Sequence, residues 1–340
     1  MSDSSESDGD RRVTIYDVAE AAGVAPSTVS RAFSRPGRVN AQTGQRIREV
    51  AEALGYRSKP VPRGERGEAN HILAFVVADV TNPIYAQIMR GFQSEAMQHG
   101  YTVLLMDTQE DEVGERQAVD AILNMVDGVA LASARMSDSS INQIVKVRPV
   151  VAANREMAGI PSVITDTDRG VRQALEELAR FGHTRVTYLS GPTASWADGV
   201  RWRAISTIGK EMGFQVRRIG PNAPSLEGGA EAGKQWFYQR TGAVIGFNDL
   251  VAVGFMKFVH RAGMTVPNDV SVVGVDNSIA AFLTTPTLAS IAPPAKMLGV
   301  RAARALISQL KHRSAPSAEL ITVPTKFVTR DSIGPAPTLD

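Results

Sequence analysis

The 340 residues are rich in Ala, Val, Ile and Leu and only 6% aromatic, so they can bury a large aliphatic core, or two if the body is split into lobes. There is no cysteine, which excludes disulfides, thiolate metal sites and a cysteine nucleophile and fits a reducing cytoplasm; no apolar run approaches the roughly 20 residues of a membrane span. The formal net charge of +2 is unevenly placed, because residues 1–10 hold four acids and no base, residues 11–66 hold eleven Arg/Lys against five Asp/Glu, and the remainder is balanced. A basic front segment is the footprint of a phosphate-binding module, with an ordinary solvated face as the alternative.

Residues 1–10 are polar and acidic, unlike a signal peptide, and read as a disordered tail. A first short helix is predicted from Thr14, which can cap it, with Asp17 in its first turn. Ile15, Val18, Ala19 and Ala22 share one face, Gly23 supplies the positive φ that ends the helix, and Val24 follows as an apolar anchor. A second helix is expected with Ser27 as its cap, Val29, Ala32 and Phe33 on its buried side, and Ser30 and Arg31 on its polar side. A third, near Thr43 to Leu54, repeats Ile47, Val50, Ala51 and Leu54 at helical spacing and stops at Gly55. Two short helices around a tight Gly turn form a helix-turn-helix pattern, whose second helix enters the major groove.

The stretches VTIYDVAEAAGVAPSTVSRAF (Val13–Phe33) and VNAQTGQRIREVAEALGY (Val39–Tyr56) resemble the DNA-binding domain of the LacI/GalR family of bacterial repressors, and the similarity runs on to about Ser332. The resemblance implies an all-α, lambda-repressor-like helix-turn-helix domain over 11–57 and dimers bound to pseudo-palindromic operators. By matching positions, Pro26, Ser27 and Arg31 would face base edges, and Thr14, Tyr16, Ser30 and Asn40 would hold the phosphate backbone. Arg31 would bridge two acceptors of a guanine or else contact phosphate. Pro26 offers only an apolar contact, and Thr14 and Tyr16 have capping and packing as equal alternatives.

Residues 58–70, SKPVPRGERGEAN, have linker composition. The resembled family folds a hinge helix here and wedges a Leu into the minor groove. In that register Arg63 and Gly64 match, Pro62 replaces an Ala, and Glu65 occupies the Leu position. A carboxylate cannot act as an apolar wedge, and Pro60, Pro62 and Gly64 oppose a stable helix. The expectation is an operator bent less than usual, or Arg63 as the main hinge contact; free drift of linker sequence is the alternative.

From His71 the pattern alternates. Strands are predicted at Ile72–Val77, Thr102–Met106, Gly128–Ala132 and Val147–Ala153, with helices near Ile84–His99 and Glu112–Asn124. After Asp166 the pattern restarts, with helices near Arg169–Phe181, Gly199–Met212, Gly228–Gln239, Leu250–Arg261 and Ala295–Lys311. Its strands are Arg185–Ser190, the segment around Val216, Ala243–Phe247 and Ser271–Val275. Two α/β halves imply two lobes and a cleft, with one continuous Rossmann sheet as the alternative. GxGxxG, Walker, HExxH and GxSxG motifs are absent. The body resembles the periplasmic-binding-protein-like α/β domain of the same family, over 71–332, with crossings near Asp166, Ala292 and Val323 and a tail over 333–340.

Polar residues that follow strands should converge on the cleft. Asp79, Asn82 and Tyr85 follow the first, and NPIY (Asn82–Tyr85) resembles the family's NPFF segment, which stacks on ligand; helix packing is the alternative for Tyr85. Asn154 and Arg155 match the family's NR pair, and Arg201 matches its effector-contacting arginine. Trp196 would cover a ring or pack its loop. Asn248 is placed in the cleft, Asp249 at the cap of the next helix, and Asp276 in GVDN resembles the family's GYDD. The mix of fixed donors and acceptors suits a sugar or polyol, although the arginines would also take a carboxylate or phosphate. Ala292 and Pro293 stand where the family places a polar or aromatic contact.

The sequence therefore predicts a cytoplasmic, effector-controlled repressor that binds double-stranded operator DNA as a homodimer. Its dimer interface would run through the N-terminal lobe, and no metal, cofactor or catalytic residue is expected. The competing reading is a solute-binding protein without regulatory function.

Overall fold

The computed structural model describes residues 13–34, 39–54, 69–312 and 318–338. The chain divides into two compact units, one ending at Asn70 and the other beginning at His71.

The front unit is three helices, α1 (Ile15–Ala22), α2 (Pro26–Ser34) and α3 (Ala41–Ala53). Thr14 and Asp17 form a capping box: the Thr14 N–H donates to Asp17 Oδ2 at 2.6 Å and the Asp17 N–H to Thr14 Oγ1 at 3.4 Å. Gly23 closes α1 at φ +62°, a conformation only glycine adopts without strain. Val18, Ala19, Ala22, Val29, Ala32, Ile47 and Ala51 make the core. Three expectations are corrected. The second helix already starts at Pro26, so Ser27 falls in its first turn and is not its cap; proline suits a helix start because its missing N–H would be unbonded there anyway. The third helix starts at Ala41, because Asn40 Oδ1 accepts from the Gln42 N–H at 3.0 Å. Leu54 ends that helix in solvent, not in the core.

The second unit opens with β1 (Ile72–Val77), α4 (Pro83–Gln98), β2 (Thr102–Asp107), α5 (Glu112–Ile122), β3 (Gly128–Ala132), α6 (Asp138–Val145), β4 (Val150–Ala153) and β5 (Ser162–Asp166). It continues with α7 (Thr167–Arg180), β6 (Arg185–Leu189), α8 (Trp196–Glu211), β7 (Gln215–Ile219), α9 (Leu226–Phe237), β8 (Ala243–Gly246), α10 (Asp249–Arg261), β9 (Ser271–Val275), α11 (Ile279–Phe282) and β10 (Ala289–Ala292). The last elements are α12 (Ala295–His312), β11 (Leu320–Pro324) and β12 (Lys326–Val328).

These strands form two six-stranded sheets, ordered β11-β5-β4-β3-β1-β2 and β12-β10-β9-β8-β6-β7. Every pairing is parallel except β10 with β12. The unit is thus two α/β lobes, and the single continuous sheet is ruled out. Apolar strands such as ILAFVV and SVVGV are buried on both faces under helices, as parallel sheets require. The chain passes between lobes after β5, between β10 and α12, and between β11 and β12. Residues beyond 332 are packed in part and are not simply a tail: Ile333 is buried, the Gly334 N–H donates to Ser271 Oγ at 3.0 Å, and the Ala336 N–H donates to the Phe181 carbonyl at 2.8 Å.

In the N-terminal lobe α12 packs on α4 with backbones in contact. A Cβ added at Gly299 would lie 1.9 Å from the Ile88 carbonyl oxygen, and one at Gly91 would lie 2.0 Å from that of Lys296. Ala295, Leu298, Ala302, Ala303, Leu306 and Ile307 of α12 complete the core over β1 and α4.

Candidate functional site

Two surfaces carry chemistry. On the front unit Pro26, Ser27, Ser30 and Arg31 are exposed on α2, on the side opposite buried Val29 and Ala32. Tyr16 on α1 is 69% exposed, and Thr14 and Asn40 sit exposed at the N-termini of α1 and α3, where helix amides favour phosphate. The caps occupy the Thr14 and Asn40 oxygens. The Asn40 amide retains its donors. Arg63, with Pro60, Pro62, Gly64 and Glu65, lies outside the described residues.

The second surface is the cleft between the lobes of the body, at the carboxyl ends of the parallel strands. Asn82 caps α4, with Oδ1 accepting from the Ile84 N–H at 3.2 Å, and Tyr85 follows one turn in, buried. Asn154 Nδ2 donates to Ser133 Oγ at 2.9 Å. From the other lobe, Arg201 on α8 donates through Nη1 to the Phe247 carbonyl at 2.6 Å and lies 4.8 Å over that ring. Its Nη2 stands 3.6 Å from Asp276 Oδ1. Asn248 lines the same wall, and Pro293 and Thr325 lie where the chain crosses. Four lining residues, Glu110, Ser133, Asn154 and Asp276, hold positive φ (61°, 60°, 58° and 111°). Such strain persists only where surrounding structure enforces it, and it gathers at binding sites. The space between the walls open to the centre of a water-sized sphere is about 40 Å³.

The front unit matches the bacterial regulatory proteins of the lacI family over residues 14–59, and the body matches a periplasmic binding protein-like domain over 175–333. The repressor CytR of Escherichia coli K12 is 30% identical over 307 residues, covering 88% of this chain and 90% of its own. The chain belongs to the lacI family. Another lacI-family relative, the ribose operon repressor of Bacillus subtilis, is 29% identical over 93% of this chain and 97% of its own. A solved lacI-family regulator from Enterococcus faecalis, with bound ribose, is 26% identical, has a TM-score of 0.70, and covers 78% of this chain and 99% of its own. As a lacI-family regulator, the protein binds DNA sequence-specifically.

Within this lacI-family body the cleft brings together Asn82, Tyr85, Asn154, Arg201, Asn248 and Asp276. Three residues assigned to it by sequence do not line it. Asp79 turns back to accept from the Thr81 N–H and hydroxyl at 2.8 and 2.6 Å. Arg155 staples the loop after β3, donating to the Ala134 and Met136 carbonyls and pairing with Asp138 at 2.5 Å. Trp196 is half-buried at the start of α8, while its neighbours Ser195 and Ala197 reach the cleft. The capping roles at α10 are also reversed. Asn248 is the cap, accepting from the Val251 N–H at 2.8 Å, and buried Asp249 ties Ser278 and Ser290 at 2.6 and 2.7 Å. Sequence reading missed Glu110 and Arg135. The available signal was an arginine just past the end of β3, the same after-strand position used for the other residues.

Burial pushes the Tyr85 hydroxyl up to about 12, so it stays a donor. Burial likewise holds Asp276 well above the usual carboxylate range; Arg201 opposes the shift and Asp249 adds to it. A carboxyl raised in the folded state contributes most below its ordinary value near ~4, and that contribution disappears as pH rises through the raised value. Stability of the wild type relative to Asp276→Asn should therefore fall from about pH 4 towards about pH 8. Parallel thermal-midpoint curves for the two proteins over that window would refute the assignment.

Proposed function

We propose that this regulator is a transcriptional repressor whose operator affinity is lowered by a small sugar-like effector. The effector binds between the lobes of a body that holds two DNA readers together as a homodimer. The observation that carries the reading is a cleft lined from both lobes. A ligand held there touches Tyr85 of one lobe and Arg201 and Asp276 of the other, so occupancy and lobe geometry are linked. Linkage then makes operator and effector affinities reciprocal. Relatives named for ribose, and the donor–acceptor mix of the walls, support a hydroxyl-rich ligand. Two readers suit two half-sites about one helical turn apart. Exposed Ile279, Phe282 and Leu283 around α11, which are 58%, 52% and 77% accessible, offer apolar surface for a second copy in the C-terminal lobe. The dimer then need not run through the N-terminal lobe alone.

The test is operator binding titrated against sugars, sugar phosphates and nucleosides. Arg31→Ala should cost about 1–3 kcal/mol in specific binding and much less on random duplex. Equal losses on both DNAs would make Arg31 a phosphate contact. Ligand binding with no operator preference would favour the solute-binding reading.

A further inference from the structure

We propose that Glu110 and Arg135 form a charge filter in the cleft, admitting neutral, hydroxyl-rich ligands and rejecting phosphorylated or carboxylated ones; this rests on the cleft being the effector site.

Arg135 is almost fully buried at the cleft wall, yet it is a full guanidinium. Its Nε and Nη2 donate to the two oxygens of Glu110 at 2.5 and 3.0 Å, and Nη1 donates to the Ser133 carbonyl at 2.8 Å. A buried pair of this kind adds little stability over apolar side chains of similar volume, so its value is sought elsewhere. The loop that carries it is fixed separately. Glu115, buried on α5, accepts from the Arg135 and Met136 N–H groups at 2.7 and 2.8 Å. The fork is therefore held from both ends, as a preorganised recognition group is.

Five guanidinium N–H groups are available and three are used, which leaves two for an acceptor in the cleft. The charged residues lining the cleft are Glu110, Arg135, Arg201 and Asp276, one arginine and one carboxylate from each lobe. A hydroxyl can accept from the arginine and donate to the carboxylate of one pair. An anion needs the arginine alone and meets Glu110 bonded to it. It reaches the two remaining N–H groups only with the Glu110 carboxylate beside it, and that like-charge repulsion opposes binding.

The experiment is calorimetric titration of the full-length protein with inorganic phosphate at constant ionic strength and about pH 8, above the raised value of the Asp276 carboxyl. Glu110→Gln should bind phosphate at least about tenfold more tightly than wild type, and Glu110→Gln with Arg135→Gln should lose that gain. Equal affinity of wild type and Glu110→Gln, or a double variant that keeps the gain, overturns the proposal. A second measurement needs no variant. Ribose 5-phosphate should not raise the wild-type thermal midpoint beyond the effect of matched sodium chloride, and a clear rise overturns the filter. Operator binding by the wild type, measured without phosphate, tests the regulator reading separately.

Discussion

Gly299→Val is expected to destabilise the N-terminal lobe by more than about 3 kcal/mol, a large share of the 5–15 kcal/mol that holds an ordinary domain folded. The reason is what the new atoms meet. Even the first added carbon would sit 1.9 Å from the Ile88 carbonyl oxygen and 2.7 Å from the Phe92 nitrogen, and both are backbone of α4. A side chain can swing aside, but a helix backbone must translate, and that opens the core beneath α12. Gly199 on α8 provides the control, because nothing lies within 4 Å of a Cβ added there. Gly199→Ala should therefore gain up to about 1 kcal/mol from helix propensity. Urea unfolding followed by circular dichroism reads both. A loss below about 1 kcal/mol for Gly299→Val would mean that α4 and α12 can move apart at little cost.

Arg201→Ala should abolish the effector response. The guanidinium is buried, donates to the Phe247 carbonyl, covers that ring and faces Asp276. Truncation removes a buried donor from the cleft wall, freeing the Phe247 carbonyl and leaving Asp276 without the guanidinium that faces it. Arg201→Lys keeps a charge and loses the planar fork, so it should recover only part of the response. The readout is the ratio of operator affinities with and without saturating effector. That ratio should collapse to about one for the alanine variant, and a wild-type ratio would remove Arg201 from the site.

Much of this architecture is legible in the chain. Ile72–Val77, Gly128–Ala132 and Ser271–Val275 are strands with the limits expected from their apolar runs, because strands buried on both faces are continuous in hydrophobicity. The elements that escaped notice are short or half-covered. The eight-residue α6 shows only Ile141 and Ile144 as buried apolar positions. In β5 only Ser162 and Val163 are buried, and β12 is three residues long. The cleft was legible where a residue's role follows from its place after a strand, as for Asn82, Asn154 and Asp276. It was not legible where two adjacent polar residues compete for one cap, as at Asn248 and Asp249. Arg155 shows a third limit: position put it near the cleft, but carbonyls at the end of β3 captured its guanidinium.

The N-terminal lobe draws on two separated stretches of chain: β1 to β5, then α12 with β11. Vectorial synthesis therefore delivers its last pieces only after nearly the whole of the opposite lobe has left the ribosome. Until Ala295 to Ile307 emerge, the apolar face formed by Phe75, Ile88 and Phe92 has no cover, and a nascent chain stalled before that point is a client for chaperones. A premature stop ahead of Ala295 thus strips the first-made half of the receptor of α12 and β11 as well as truncating the half made last.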